Sequence, residues 1–401
     1  MNNEMEIKSA KITLEKEKGL KTEEFIVNIG PQHPSTHGLL RLVVTLDGEK
    51  VVEVVPHIGY LHRSTEKIAE NRYYHSFVPY TDRLDYISSM FMNWGYVLAV
   101  EKVAGICISP RAEYIRVLIG EMNRISSHLL FYGTFAMDVG AFTPFLWGFR
   151  EREKILDLFE ALCGQRLTYN YYRIGGVSHD LPKDWIERLK RFLETFKSAY
   201  KDMDNILTDN IIFLKRTKEV GVLPKEKATA WGCTGPVLRG SGMHWDLRKD
   251  EPYSVYKELK FDVPVGQNGD TWDRYWVRMQ EMLQSVKIIE QCIEKLKEMD
   301  DQVAKIPYGG KGFKDLTEVH IRNKSVLTVP PGEAYVRIEA PRGELGYYLV
   351  SSGGEKPWRL KIRSGTFCNL AVLPELTKGG LVADLVAILA SLDIVLGEID
   401  R

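Results

Sequence analysis

The sequence predicts an α+β fold with an N-terminal antiparallel β-sheet, a central helical bundle, and C-terminal strands followed by a last helix. Three observations carry this. Runs of β-branched residues on both sides of Asp47-Gly48 read as a hairpin. From Ser64 to Gln302 apolar residues recur over long stretches at three- and four-residue steps, the period of a helix. From Gly332 the chain returns to strand-like runs. No internal repeat or low-complexity linker divides the chain, so segments 1–60, 61–305 and 306–401 are expected to interlock as one domain, the last packing back on the helical core.

Taken in order, FIVNI at Phe25–Ile29 and LLRLVVTL at Leu39–Leu46 read as strands flanking GPQHPSTHG, Gly30–Gly38. His33 and His37 are four apart, a spacing that on a helix would aim both imidazoles at one metal. Pro34 between them and Pro31 before them make the segment a stiff loop instead, and Ser35 and Thr36 stiffen it further by bonding nearby backbone. Such a mount suits an imidazole that donates one hydrogen bond or proton to a group opposite. The bland alternative is a tight turn whose histidines satisfy backbone groups. After Asp47-Gly48, VVEVVPHI completes the sheet. Helical patterns follow at Ser64–Tyr74, Asp85–Val103, Pro110–Tyr132 and Phe149–Leu162, with Pro110 suited to a first turn. Within Arg111–His128, Ile115, Leu118, Ile119, Met122 and Ile125 form a core stripe, while Arg111, Arg116, Glu121 and Arg124 make a charged face. Lys183–Asn205 and Thr271–Gln302 read as further amphipathic helices, the second either projecting or packing along its length. TGPVLRGSG, Thr234–Gly242, reads as a glycine-rich loop without the Lys-Ser/Thr ending of a phosphate-binding loop. AYVRIEAPRGELGYYLVSSGG and WRLKIRS are the late strands, and the last apolar helix starts at Leu381.

Composition removes several classes of function. With 44% hydrophobic and 27% charged residues among 401, the chain is an ordinary globular protein. Lys+Arg and Asp+Glu number 54 each, which removes the electrostatic attraction that dominates nucleic-acid binding. The five cysteines, Cys107, Cys163, Cys233, Cys292 and Cys368, are scattered without a CxxC pair, so they read as reduced thiols and neither a disulfide framework nor a cluster site. The first twenty residues are charged throughout and unlike a signal peptide. The apolar stretches Met90–Val100 and Leu381–Leu396 are too short, or too interrupted by Asp384 and Asp393, to span a bilayer, so any membrane association is expected through partners.

Three further constellations stand out. His57 and His62 bracket Gly-Tyr-Leu and lead into Arg63, Glu66 and Lys67, which reads as an ion-pair network at a helix start. TDRLDYI, Thr81–Ile87, puts Asp82, Arg83, Asp85 and Tyr86 where a helix begins; Tyr86 offers a phenol donor and Arg83 a charge to face an anionic group, or the stretch is a cap with a core aromatic. Asp138 is a carboxylate among apolar residues and small turns, a setting that calls for a partner such as a histidine.

Together these residues resemble one family. GPQHPSTHGLLRL, VVPHIGYLHRSTEK, DRLDYISSM, PRAEYIRVL, AFTPF, RIGGVSHDLP, PRGELGYYLVS and SLDIVLGEIDR occur in the order found in the hydrogenase-like D subunit of proton-pumping NADH:quinone oxidoreductase, respiratory complex I. The resemblance covers nearly the whole chain after about residue 22. It implies a helical core like that of the nickel–iron hydrogenase large subunit. It also implies that His37 and Tyr86, with His33, bind a quinone headgroup, menaquinone or ubiquinone; that Asp138 pairs with His37; and that Arg63, Arg83 and Thr168 lie near the terminal iron–sulfur cluster of a partner subunit. In that scheme the partner's cluster delivers electrons one at a time, Tyr86 and His37 donate to the quinone oxygens, and Asp138 orients His37. The implied partners are the B-type iron–sulfur subunit, the C- and I-type peripheral-arm subunits and the H-type membrane subunit, on the cytoplasmic side of the inner (cytoplasmic) membrane. The chain by itself would be inactive.

The related hydrogenases need four thiolates, and here Asp85, Ser88, Val395 and Glu398 stand in those positions, so no metal is expected in this chain. Thr168 stands where many members carry a histidine, and a threonine cannot titrate near neutral pH. The implied cluster potential is therefore lower and nearly independent of pH, which suits menaquinone, unless Tyr169 or His62 takes over the proton. Two rival readings stay open: the equivalent subunit of a ferredoxin- or F420-dependent complex, and a non-catalytic scaffold subunit.

Overall fold

The computed structural model describes residues 24–32, 38–299 and 327–401. His33 and His37 lie outside the described residues. The flanking strands are as the sequence predicts: β1 (Glu24–Ile29) pairs antiparallel with β2 (Arg41–Asp47), and β2 with β3 (Lys50–His57). Alternation in β2 buries Leu42, Val44 and Leu46. They join a core cluster with Val237, Leu373, Ile388 and Leu396 from distant parts of the chain.

The helical region departs from the sequence expectation in its boundaries. One helix over Ser64–Tyr74 is instead two, α1 (Thr65–Asn71) and α2 (Tyr74–Thr81). Asn71 Nδ2 donates to the Lys67 carbonyl at 2.9 Å, and Arg72 turns to an extended conformation. A side chain that satisfies a late carbonyl competes with the next helical turn. The helix expected from Asp85 begins only at Ser89, as α3 (Ser89–Ala104). Asp85 Oδ1 accepts from Ile87 N at 3.1 Å and Ser88 N at 3.3 Å, so its side chain holds a turn in which Tyr86 stands before the helix. The long helix α4 (Pro110–Asp138) starts at Ser109, whose side chain accepts from Ala112 N, and outlasts its predicted end at Tyr132. Gly133 does not stop it; a Cβ there would come within 3.1 Å of Phe145 Cα, and one on Gly148 within 2.8 Å of Leu129 O. These two glycines let α5 (Thr143–Cys163) lie directly against α4. Asp138 is therefore the last residue of a helix and not part of a turn.

The helix Trp185–Leu207 and the helix Thr271–Glu298 follow the predicted amphipathic stretches. The second packs along its length against α4, burying Tyr275, Met279, Met282, Val286, Ile289 and Ile293. The glycine-rich stretch expected as a loop contains a short helix, Gly235–Gly240. Gly235 adopts φ 66°, and a Cβ on it would lie 2.4 Å from Gly343 Cα. That close approach presses it against the turn of the late hairpin, Gly332–Ala340 and Gly343–Ser351, where Thr234 Oγ1 accepts from Glu344 N at 3.0 Å. A third strand, Arg359–Arg363, completes this sheet. The predicted last helix is Val382–Leu392, and a further short helix, Leu396–Ile399, follows it.

Candidate functional site

The hairpin turn carries Arg342, and Arg342 organises the centre of the molecule. Its Nη1 donates to Asp85 Oδ2 at 2.8 Å and to Ser127 Oγ on α4 at 3.1 Å. Its Nη2 donates to Asp393 Oδ1 at 3.1 Å and its Nε to the Asp393 carbonyl at 2.9 Å. Asp393 offers its carbonyl and one carboxylate oxygen to one guanidinium from the left-handed region, φ 53°, which aspartate tolerates better than most residues. Burial works against the Arg342 cation, yet Asp393, Asp85 and Glu398 hold its pKa above the ordinary value. Ser88 Oγ donates to Asp85 Oδ2. Glu398, almost wholly buried, accepts from Ser364 Oγ at 2.7 Å and Thr366 N at 3.2 Å. Burial first, and then the charge of Asp85, push its carboxyl up.

Asp85, Ser88, Val395 and Glu398, singled out as a set by the resemblance, are thus all buried, and Asp85, Ser88 and Glu398 cluster around an arginine. Among the described residues no group of three or more His, Cys, Asp or Glu side chains is arranged to hold a metal ion. Sequence reasoning missed Arg342 and Asp393. Both lie inside the blocks that carry the resemblance, but a buried arginine that will meet two carboxylates from remote segments leaves no local signal.

Tyr86 follows Asp85 in the same turn and is 38% exposed. Burial of its other face, and then the Asp85 carboxylate, hold the phenol above its ordinary pKa, so it is a protonated donor at neutral pH. The turn is bounded by the C-terminal segment: a Cβ on Gly397 would lie 2.7 Å from Leu84 O and 2.9 Å from Arg83 O. The near edge of the histidine loop arrives from the other side, where a Cβ on Gly38 would lie 3.3 Å from Leu396 Cδ1. Three sequence blocks therefore meet at Leu396–Gly397: the end of GPQHPSTHG, the Arg83–Tyr86 turn and DIVLGE.

Arg63 and Arg83 are also brought together. Arg63 Nη2 donates to the Arg83 carbonyl at 2.8 Å, and Arg83 Nη1 to the Pro79 carbonyl at 2.6 Å. Both line a depression of about 450 Å³ with Thr65, Ile68, Pro79 and Tyr80. The turn leading to Arg63 is clamped by Asp400, which accepts from Gly59 N at 2.8 Å and Leu61 N at 2.7 Å, while the His62 ring bonds the Asp400 carbonyl. The ion-pair network expected here centres on Glu66, which meets Lys361 at 3.0 Å, Arg359 at 3.3 Å and Arg401 at 3.5 Å; Lys67 pairs with Glu70 at 2.6 Å. Thr168 is half-buried in a left-handed turn, φ 54°, two residues before Asn170, whose N–H donates to Asp82 Oδ1 at 3.3 Å.

Asp138 is half-buried. It lies eleven residues along α4 from Ser127, which at the helical rise is roughly 16 Å from the Arg342 contact. Its expected partner, His37, is outside the described residues. No helix among the described residues is long and apolar enough to cross a membrane.

Residues 138–401 match the family model described as respiratory-chain NADH dehydrogenase, 49 Kd subunit. The chain is 49% identical over 381 residues to a Bacillus mycoides protein named as the D subunit of NADH-quinone oxidoreductase, covering 95% of this chain and 100% of that one. Proteins of the same name from Geotalea uraniireducens and Desulforamulus reducens are each 49% identical, over 387 and 381 residues, covering 95% of this chain and 99% of theirs.

Proposed function

The chain belongs to the family of the NADH-quinone oxidoreductase D subunit, the 49 kDa subunit of respiratory-chain NADH dehydrogenase, and from that membership we propose that it forms the quinone-reduction site of its complex. The observation that supports this reading most is the meeting of the histidine-loop edge, the Tyr86 turn and the C-terminal turn at Leu396–Gly397. A partner's iron–sulfur cluster, when docked, supplies the electrons. The half-exposed depression with Arg63 and Arg83 fits such a cluster, because two guanidiniums favour an anionic group and both are held there by backbone carbonyls.

In this reading Tyr86 donates its phenolic O–H to one quinone oxygen, on a backbone fixed by the Asp85 turn. His33 and His37 belong to the same headgroup site, His37 donating to the quinone with its charged form favoured by Asp138. The Arg342 cluster behind Tyr86 sets the turn and takes no part in metal binding. Negative charge that develops on the quinone oxygens is met by donors already in place, the arrangement that lowers barriers without reorganisation. The B-type subunit would supply the cluster, with C-, I- and H-type subunits completing the surroundings at the cytoplasmic face of the membrane.

A photoreactive quinone analogue applied to the assembled complex tests this. Labelling should fall on peptides containing Gly30–Gly38 and Tyr86 and be displaced by excess quinone. Displaceable labelling confined to other peptides or subunits would overturn the reading. Co-purification of flavin, iron–sulfur and antiporter-like subunits separates the NADH-linked complex from ferredoxin- or F420-dependent relatives.

A further inference from the structure

Asp82 is wholly buried, and its Oδ2 has no hydrogen-bond partner among the described residues. A carboxylate in that position is costly when ionised, because the interior withholds the solvation that water supplies. Its surroundings compensate only in part. Arg83 Nη1 is 3.9 Å from Oδ2, beyond hydrogen-bond length, and is half-exposed and bonded to the Pro79 carbonyl. Asn93 faces it from α3, Asn170 N donates to Oδ1 at 3.3 Å, and Arg173 acts from further along the same segment. Tyr169, Cys163 and Tyr347 feel its charge and none of them is a cation, while Arg152 and Arg166 stand beyond, next to Tyr169. Burial therefore dominates and pushes the Asp82 carboxyl up to about 7.

Arg83 joins this buried group to the outer depression: one guanidinium lines the depression and approaches Asp82. The two groups suggested by sequence as substitutes for the residue at 168 are poorly suited. Burial pushes the Tyr169 phenol far up, and the His62 ring is tied to the Asp400 carbonyl. We infer that Asp82 takes up a proton when the cluster beside Arg63 and Arg83 gains an electron, supplying the charge compensation that Thr168 cannot. This rests on the proposed position of the cluster. The balance is simple: one electron reaches the cluster from the upstream donor, and one solvated proton passes from hydronium to the Asp82 carboxylate, the hydronium O–H breaking as the carboxyl O–H forms. The expectation of a pH-independent cluster potential is then replaced by its opposite.

Redox titration of the terminal cluster by electron paramagnetic resonance in the assembled complex reads this directly. In the wild type the midpoint potential should fall by up to about 59 mV for each tenfold drop in proton concentration across neutral pH. Asp82→Asn should flatten that slope, and Asp82→Asn with Thr168→His should restore it. A flat wild-type profile, or a slope that survives Asp82→Asn, overturns the inference. If Asp82→Asn does not assemble, reduced-minus-oxidised infrared difference spectra of the wild type decide: a protonated carboxyl band must appear on reduction, and its absence overturns the assignment. Arg63→Gln and Arg83→Gln separate the two levels. A shifted midpoint in these variants with an unchanged slope in Asp82→Asn defeats the inference alone, whereas no shift in either arginine variant defeats the cluster's proposed position.

Discussion

Arg342 and Asp85, 257 residues apart in sequence, form a salt bridge of 2.8 Å in which each is about 1% exposed. It joins the late hairpin turn to the turn that carries Tyr86. A guanidinium standing among carboxylates and a hydroxyl is incompatible with a low-valent nickel–iron centre, which needs soft thiolates. The chain purified from its complex should therefore hold neither nickel nor iron in stoichiometric amount. Elemental analysis checks this, and one metal atom per chain would overturn the account of the Arg342 cluster.

Arg342→Met should destabilise the protein by about 3–5 kcal/mol, since it leaves Asp85 buried without its cation and Asp393 with only Arg278, 3.8 Å away. Adding Asp85→Asn to it should recover part of the loss, because contacting residues are not additive. Chemical denaturation of the four proteins of this cycle gives the coupling. A zero interaction energy would show that the bridge contributes nothing specific.

Tyr86→Phe keeps the ring in its turn and removes only the hydroxyl. A buried donor lost from a bound ligand costs about 1–3 kcal/mol, so the quinone KM should rise or kcat fall by roughly one to two orders of magnitude. Reduction of the cluster by the upstream donor should be normal. Unchanged quinone kinetics would remove Tyr86 from the headgroup contact.

His37→Ala should block quinone reduction while electrons still reach the cluster. Asp138→Asn should act more mildly, leaving a hydrogen-bond partner but removing the charge that favours a protonated imidazole. Activity in Asp138→Asn should accordingly fall mainly toward high pH. Coincident pH profiles for it and the wild type would sever the coupling between Asp138 and His37.

Local patterns explain why some elements were legible in the sequence. Asp47-Gly48 and the β-branched runs fix β2 and β3, and the Ile115 to Ile125 stripe fixes α4. What escaped depends on contacts between remote segments. Gly133 and Gly148 allow α4 and a second helix to approach closely, and α4 runs on through Gly133 past its predicted end at Tyr132. The delay of α3 to Ser89 is decided by the Asp85 side chain bonding its own turn. Asp82, Arg83 and Tyr86 stand out in the sequence as one motif and Arg63 through the resemblance, while the roles of Arg342 and Asp393 and the unpartnered burial of Asp82 follow only from contacts between remote segments.

Asp82 also makes stability depend on pH, apart from any redox role. An unfolded aspartate titrates near 3.9, whereas burial pushes the folded group up to about 7. Below both values the carboxyl is protonated in either state and contributes no difference. Between them the folded protein binds a proton that the unfolded chain has released, so folding becomes less favourable as pH rises, and above the folded value the full penalty is in place. Asp82→Asn mimics the protonated form and carries no such penalty. Its melting temperature relative to wild type should therefore climb from pH 5 to pH 8, the reverse of what removing a salt-bridged carboxylate would do. Thermal unfolding of both proteins at the two pH values measures it, and a difference that stays constant or falls with pH would show that Asp82 is ionised and compensated in the folded state.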